Sequence, residues 1–245
     1  MHSLQYSFMN DIVWNEYGNT DHQFPLSSNI DIWRIAVSPN LDLINRFQKT
    51  LSIDENARAL RFHQQKDTQR FLISRIVLRN LLAGYSKQSP DKIQFAEGLN
   101  KKPFAENVNL ADLHFNISHS GDLILIAIAN SEIGVDVEKN DDNFSYKEIL
   151  PQNFSDEEIR FIKKPEDFYL LWTRKEALLK ATAKGLDDDL PRVPSLDGIY
   201  NIKRGELGLN KNWIIKSFQV EKDYVGSIAY SSDKHALNFF DIMLL

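Results

Sequence analysis

Apolar periodicity in this chain changes from helical to alternating twice, and that order constrains the fold more than any other feature. Ile30 to Val37 alternates as a strand does, and Ser38-Pro39-Asn40 opens a helical stretch that runs to Phe47. From Asp54 to about Tyr85 the spacing is helical, with Leu60, Phe62, Phe71, Leu72, Ile76, Leu78 and Leu82 on one stripe and Gly84 near the stop. Three strands are then predicted, His114 to Ser118, Leu123 to Ala129 and Ile133 to Glu138, separated by Ser120-Gly121-Asp122 and Asn130-Ser131-Glu132. Helical spacing returns at Ser155-Asp156-Glu157-Glu158, a capping box with Phe154 and Ile159 as its hydrophobic staple, and at Pro165, whose helix is expected to end at Gly185. Trp213 to Val220, Val225 to Tyr230 and Leu237 to Ile242 read as three further strands.

The sequence therefore predicts an α+β chain of two comparable lobes, each with a small antiparallel sheet packed on helices, at residues 30–133 and 134–245. The residues themselves show no repeat. Residues 1–29, rich in Asn and holding isolated anchors such as Trp14 and Phe24, read as an irregular arm without assigned function.

A length of 245 residues with 42% hydrophobic content is enough for a real core. There is no cysteine, which excludes disulfides, thiolate metal ligands and a Cys nucleophile. The net charge of −5 argues against nucleic-acid binding through overall charge, so an anionic ligand needs a local site. No signal peptide or membrane span is predicted, and a cytoplasmic location is the expectation.

Asp136 and Glu138 stand one residue apart in the apolar run Gly134-Val135-Asp136-Val137-Glu138, so both carboxylates share a face opposite Val135 and Val137. Two oxygen ligands on one face suit a hard cation, although a strand whose polar face meets water looks the same. In the helix from Pro165, Phe168, Leu171, Trp172, Leu178 and Leu179 form the buried stripe, while Glu176 and Lys180 lie one turn apart on another face. That pair alone is also what a surface ion pair looks like. Lys175 falls within the apolar stripe, where an ammonium must snorkel to water or find an anion. His119, at a strand end among Asn116, Ser118, Ser120 and Gly121, is suited to holding a phosphate with turn N–H groups or to an ordinary hydrogen bond. Ser118 lacks the G-x-S-x-G setting of a hydrolase nucleophile.

Taken together and in order, Lys102-Pro103, FNISHSG at 115–121, GVDVE at 134–138 and WTRKEALLKATAKGL at 172–186 resemble the larger, monomeric type of 4′-phosphopantetheinyl transferase. The resemblance implies a pseudo-dimer of two similar lobes with coenzyme A bound between them. It implies Mg²⁺ at Asp136, Glu138 and Glu176 together with the coenzyme A pyrophosphate, Lys180 beside the leaving phosphate, and His119 near the 3′-phosphate. Ser118, Ser120, Lys102 and Pro103 are the other implied coenzyme A contacts. The implied reaction is attack of a carrier-protein serine on the β-phosphate, releasing 3′,5′-ADP, with Asp136, Glu176 and Lys180 as the catalytic set and Glu176 as base, directly or through a water.

Two positions depart from the family pattern: Lys101 stands where a glycine is usual, and Glu55 where relatives carry a first basic residue for the 3′-phosphate. Arg58 and Arg70 are expected to compensate. The implied partner is an acidic acyl or peptidyl carrier protein, docked through a local basic or apolar patch that includes Arg75 and Arg79. A coenzyme A-binding module without catalysis and a metal-dependent pyrophosphate hydrolase are the competing readings.

Overall fold

The computed structural model describes residues 1–17, 28–108, 113–183, 190–203, 209, 211–231 and 236–242. Gly185, the expected end of the long second-lobe helix, and Phe24 lie outside the described residues.

In chain order the strands are β1 His2–Met9, β2 Asn15–Tyr17, β3 Ile30–Ala36, β4 Phe95–Glu97, β5 Pro103–Ala105, β6 His114–Ser120, β7 Leu123–Ala129, β8 Ile133–Lys139, β9 Gly198–Ile202, β10 Trp213–Glu221, β11 Tyr224–Tyr230 and β12 Leu237–Ile242. The α-helices are α1 Asp42–Phe47, α2 Ile53–Ala59, α3 Gln65–Ser86, α4 Leu150–Asn153, α5 Asp156–Phe161 and α6 Pro165–Thr182. The stretch expected to be helical from Asp54 to Tyr85 is broken between α2 and α3, and the capping box at Ser155 forms with both of its hydrogen bonds.

A strand, a long helix and a hairpin occur twice. In the first unit β3 leads through α3 to β6 and β7, with β7 pairing antiparallel to both β3 and β6. In the second, β8 leads through α6 to β10 and β11, with β11 pairing antiparallel to both β8 and β10. The expected α+β architecture of sheets packed on helices is therefore present, and its repeat lies in topology rather than in residue identity.

The termini complicate the simple division. Residues 1–29, expected to be irregular, contain β1, which pairs parallel with β10 and antiparallel with β9 in the second sheet. Its alternation of Leu4 and Tyr6 with Ser3, Gln5 and Ser7 places both apolar side chains in the core against α6. At the other end β12, expected within the second lobe, pairs parallel with β3 and β2 in the first sheet. Both five-stranded sheets are consequently mixed at the positions the termini occupy, in the orders β8-β11-β10-β1-β9 and β2-β12-β3-β7-β6.

Four layers result. Trp33, Ile35, Ile124, Ile126 and Ile128 face α3 on the outer side of the first sheet. The opposite faces of the same strands, through Ile30, Ile32, Leu123, Leu125 and Ala127, meet Val135, Val137, Phe218 and Ile228 of the second sheet. Strands β7 and β11, buried on both faces, read as nearly continuous apolar runs for that reason. Ala177, Leu178 and Ala181 of α6 cover the outer side of the second sheet. Among the described residues no helix is long and apolar enough to cross a membrane.

Helix α6 lies unusually close to β8. A Cβ on Gly134 would stand 2.1 Å from the Ala177 carbonyl oxygen and 2.3 Å from the Ala181 nitrogen, backbone atoms that cannot rotate away. Gly134→Ala must push α6 off the sheet, and we expect urea unfolding to register a loss of at least about 2 kcal/mol, in the range of core overpacking.

Candidate active site

The close approach of α6 to β8 sets the carboxylates of a strand against those of a helix. Val135 and Val137 are buried between the sheets, so Asp136 and Glu138 project from the other face, toward α6. Asp136 is almost wholly buried. Its Oδ1 accepts hydrogen bonds from the Lys180 ammonium at 2.6 Å and from the Ser118 hydroxyl at 2.7 Å, and the same ammonium donates to Ser118 Oγ at 2.9 Å. Its Oδ2 is buried and makes no hydrogen bond to the protein. Glu138 Oε2 accepts from Ser120 Oγ at 2.7 Å.

The acidic groups feel one another. Burial, and then the charge of Asp136, push the Glu138 carboxyl up to about 7. Burial and the same Asp136 charge raise Glu176, with Lys180 opposing. Among the described residues no three carboxylate or imidazole groups converge as a ready-made metal cage. Mg²⁺ does not ask for one: it is usually held by one or two carboxylates with substrate phosphates and waters completing the octahedron. The bare, buried Oδ2 of Asp136 and the mutual repulsion of the carboxylates around it are what a cation would relieve, so this donor set fits a hard divalent ion.

On the other flank the charge is positive. His119 follows Ser118 on β6 with its side chain reaching solvent, and desolvation followed by the Arg70 charge lowers its pKa. Arg70 is held by Asp67 at 2.7 Å and by the carbonyl of Gly121 at 3.1 Å, in the turn after Ser120. Gly121 adopts φ +54° there, and a Cβ would meet the Tyr224 hydroxyl at 2.4 Å. Arg58 is exposed on α2, 5.3 Å from the centroid of the Phe71 ring. Lys102 donates to the carbonyls of Ile133 at 2.9 Å and Ala181 at 3.2 Å, and burial brings its pKa down to about 8. It thus ties the start of β8 to the end of α6, with one of its three donors left over. Pro103 begins β5 beside it.

The structure therefore gathers Ser118, His119, Ser120, Asp136, Glu138, Glu176, Lys180 and Arg70 at one seam, with Lys102 and Pro103 at its margin, while Arg58 stands apart on α2 against Phe71. Asn116 was not expected to contribute. Its Oδ1 accepts from the Val135 N–H at 2.9 Å, and the signal for it was the polar alternation Asn116, Ser118, Ser120. A cleft of about 580 Å³ at the N-terminal end of α6, lined among others by Phe8, Asn140, Asp167 and Lys222, contains none of the residues to which the motifs point.

Comparison with known proteins points to one family. Residues 37–131 match the family described as 4′-phosphopantetheinyl transferase, N-terminal, and residues 132–229 match the 4′-phosphopantetheinyl transferase superfamily. A protein of Synechocystis sp. bearing a 4′-phosphopantetheinyl transferase name is 37% identical over 158 residues, covering 62% of this chain and 64% of the relative. The 4′-phosphopantetheinyl transferase HetI of Nostoc sp. is 33% identical over 173 residues, 66% of this chain and 71% of HetI. The 4′-phosphopantetheinyl transferase Sfp of Bacillus subtilis is 31% identical over 147 residues, 58% of this chain and 64% of Sfp. The chain thus spans slightly less than two thirds of two of these relatives and somewhat more of the third.

The docking patch expected at Arg75 and Arg79 needs correcting. Glu55 closes a capping box with Ser52 and binds Arg75 at 2.6 Å and Arg79 at 2.8 Å. Arg79, 3% exposed, also donates to the carbonyls of Pro90 and Ile93. Arg75 lies over the Phe95 ring. Arg75 and Arg79 therefore hold α2, α3 and the following loop together, and are not available as a docking surface. Removing the shared anion by Glu55→Ala leaves two cations inside the protein; we expect a loss of about 3–5 kcal/mol in chemical denaturation, as for other broken buried ion pairs.

Proposed function

This chain belongs to the 4′-phosphopantetheinyl transferase superfamily, and from that premise we propose that it transfers the 4′-phosphopantetheine arm of coenzyme A to a serine of an apo carrier protein, with Mg²⁺ as cofactor and 3′,5′-ADP as the other product. The observation that carries the reading is the seam between β6, β8 and α6, where Asp136, Glu138 and Glu176 feel one another's charge beside Lys180, with Arg70 and His119 on the other flank. A ligand that is both a pyrophosphate and a metal partner suits that division of charge.

Asp136, Glu138 and Glu176 would hold the magnesium ion together with phosphate oxygens. When bound, the ion neutralises negative charge on the phosphates and on the leaving oxygen. Lys180 supplies a second positive charge, and its release from Asp136 toward the leaving phosphate makes it a cation or proton donor for departure. His119 and Arg70, with Arg58 beyond them, would take the 3′-phosphate end. Glu176 is the proposed base for the carrier serine. Burial and the Asp136 charge raise its proton affinity, which moves a carboxylate toward the range in which general bases work and offsets the acidifying pull of a nearby cation.

With Arg75 and Arg79 bound to Glu55, carrier docking falls to a neighbouring surface. Ile53 and Leu60 are 88% and 86% exposed, Phe62 is partly exposed, and the exposed Arg58, Arg61 and Lys66 stand among them. This corner of α2 and α3 is tied by Arg70 to the turn that follows Ser120. It combines the positive charge and apolar area that an acidic carrier helix would meet. The proposed working form is a monomer in the cytoplasm.

Intact-mass spectrometry of apo carrier proteins incubated with this protein, coenzyme A and Mg²⁺ tests the reaction. A single phosphopantetheine increment is expected, absent with Glu176→Gln and absent in EDTA. Loss of coenzyme A without modified carrier would mean hydrolysis instead, and bound but unreacted coenzyme A would mean a binding module. For docking, the double change Leu60→Asp and Arg61→Glu is expected to raise the KM for the carrier roughly tenfold, about 1.4 kcal/mol, with coenzyme A affinity unchanged. An unaltered carrier KM removes that surface.

A further inference from the structure

The turn Gly121-Asp122 joins β6 to β7 directly after His119 and Ser120, so its position decides where the positive flank of the seam stands. Within the first lobe it is held from three directions. The Val37 N–H donates to the Asp122 carbonyl at 2.8 Å. The N–H and hydroxyl of Ser38 donate to the Asp122 carboxylate at 3.1 Å and 2.7 Å. Arg70 donates to the Gly121 carbonyl at 3.1 Å.

A fourth hold comes from the other lobe. The Asp122 N–H donates to the hydroxyl oxygen of Tyr224 at 3.1 Å, and a backbone N–H can only donate, so the sense of this bond is fixed. Tyr224 opens β11, pairs with Lys139 next to Glu138, and packs its ring into the apolar layer between the sheets, 7% exposed. The contact is steric as well as polar. Gly121 lies so close that a Cβ would meet the same hydroxyl at 2.4 Å and the Lys139 side chain at 3.1 Å. The turn beside His119 is therefore seated on the strand pair that carries Asp136 and Glu138.

We propose that Tyr224 is a positioning residue for coenzyme A: its hydroxyl, reaching from the second lobe to the Gly121-Asp122 turn, sets the separation between the His119 and Arg70 flank and the carboxylates of β8. This rests on the reading in which that flank takes the 3′-phosphate while the carboxylates hold the metal with the pyrophosphate. A ligand anchored at both ends gains from a spacing fixed in advance, whereas a ligand anchored at the carboxylates alone does not.

Calorimetry in Mg²⁺ with coenzyme A and with 3′-dephospho-coenzyme A tests this, because the two ligands differ only in the phosphate assigned to that flank. The wild-type protein is expected to prefer coenzyme A. Tyr224→Phe keeps the buried ring and removes the hydroxyl. It is expected to weaken coenzyme A binding roughly three- to tenfold, the share of one hydrogen bond, and to leave 3′-dephospho-coenzyme A affinity unchanged. A general loosening of the fold would lower both affinities together. Unchanged coenzyme A binding in the variant, or an equal fall for both ligands, overturns the proposal. A wild-type protein that does not distinguish the two ligands is a different failure: it removes the 3′-phosphate reading of His119 and Arg70, and the proposal with it.

Discussion

The contact between α6 and β8 is the constraint on which the rest of this molecule depends. A helix can pack this close to a strand only where the strand presents no side chain, and Gly134 provides that place against the carbonyl of Ala177 and the nitrogen of Ala181. Once the helix is seated there, its register decides what faces Asp136 and Glu138. Lys180 arrives at Asp136, and Glu176 lies one turn earlier within reach of the Asp136 charge. Lys102 ties the same junction from outside through the carbonyls of Ile133 and Ala181. A small residue in the strand thus places four ionisable groups of two elements, and none of them could be moved without moving the helix.

The same device secures the helices of both lobes. In the first, Glu55 closes a capping box with Ser52 and receives Arg75 and Arg79 from α3. In the second, Glu158 closes a capping box with Ser155 and receives Lys175 from α6 at 2.9 Å, along with the hydroxyl of Ser195. In each case the carboxylate that caps a short helix also neutralises a cation buried on the long helix, so one anion satisfies both an N-terminal N–H and a charge that could not otherwise leave water. Lys175, 1% exposed within an apolar stripe, is explained by this arrangement and by the carbonyls of Leu190 and Val193 that take its remaining donors.

That parallel shows how legibility was divided between sequence and structure. The motif at Ser155 was readable because a staple and an apolar run follow it. The same S-x-x-E spacing stands at Ser52, but no apolar run follows it at once to mark a helix start. Strands β7 and β11 were readable from continuous apolar runs, and Asp136 and Glu138 from their alternation with Val135 and Val137. Strand β1 has alternation as clean as theirs, but surrounding asparagines suggested irregularity, and pairing with β10, some 210 residues away in sequence, has no local signature. The burial of Arg75 and Arg79 against Glu55 has no local signature either: helical spacing shows that side chains share a face, not whether another helix covers it.

Polarity across the seam gives the site its chemical character. The first lobe contributes His119 and Arg70, the second Asp136, Glu138 and Glu176, and Lys180 stands on the acidic side with its ammonium committed to Asp136. Without a ligand, that ion pair is the arrangement that best limits the cost of crowding carboxylates in a poorly solvated place. On the proposed function, a divalent cation and a pyrophosphate bound there would take over neutralisation of the carboxylates, and Lys180 would be free to pair with a phosphate. The ion pair thus holds Lys180 at the seam against Asp136, and the hydroxyl of Ser118 is bonded to both members of the pair.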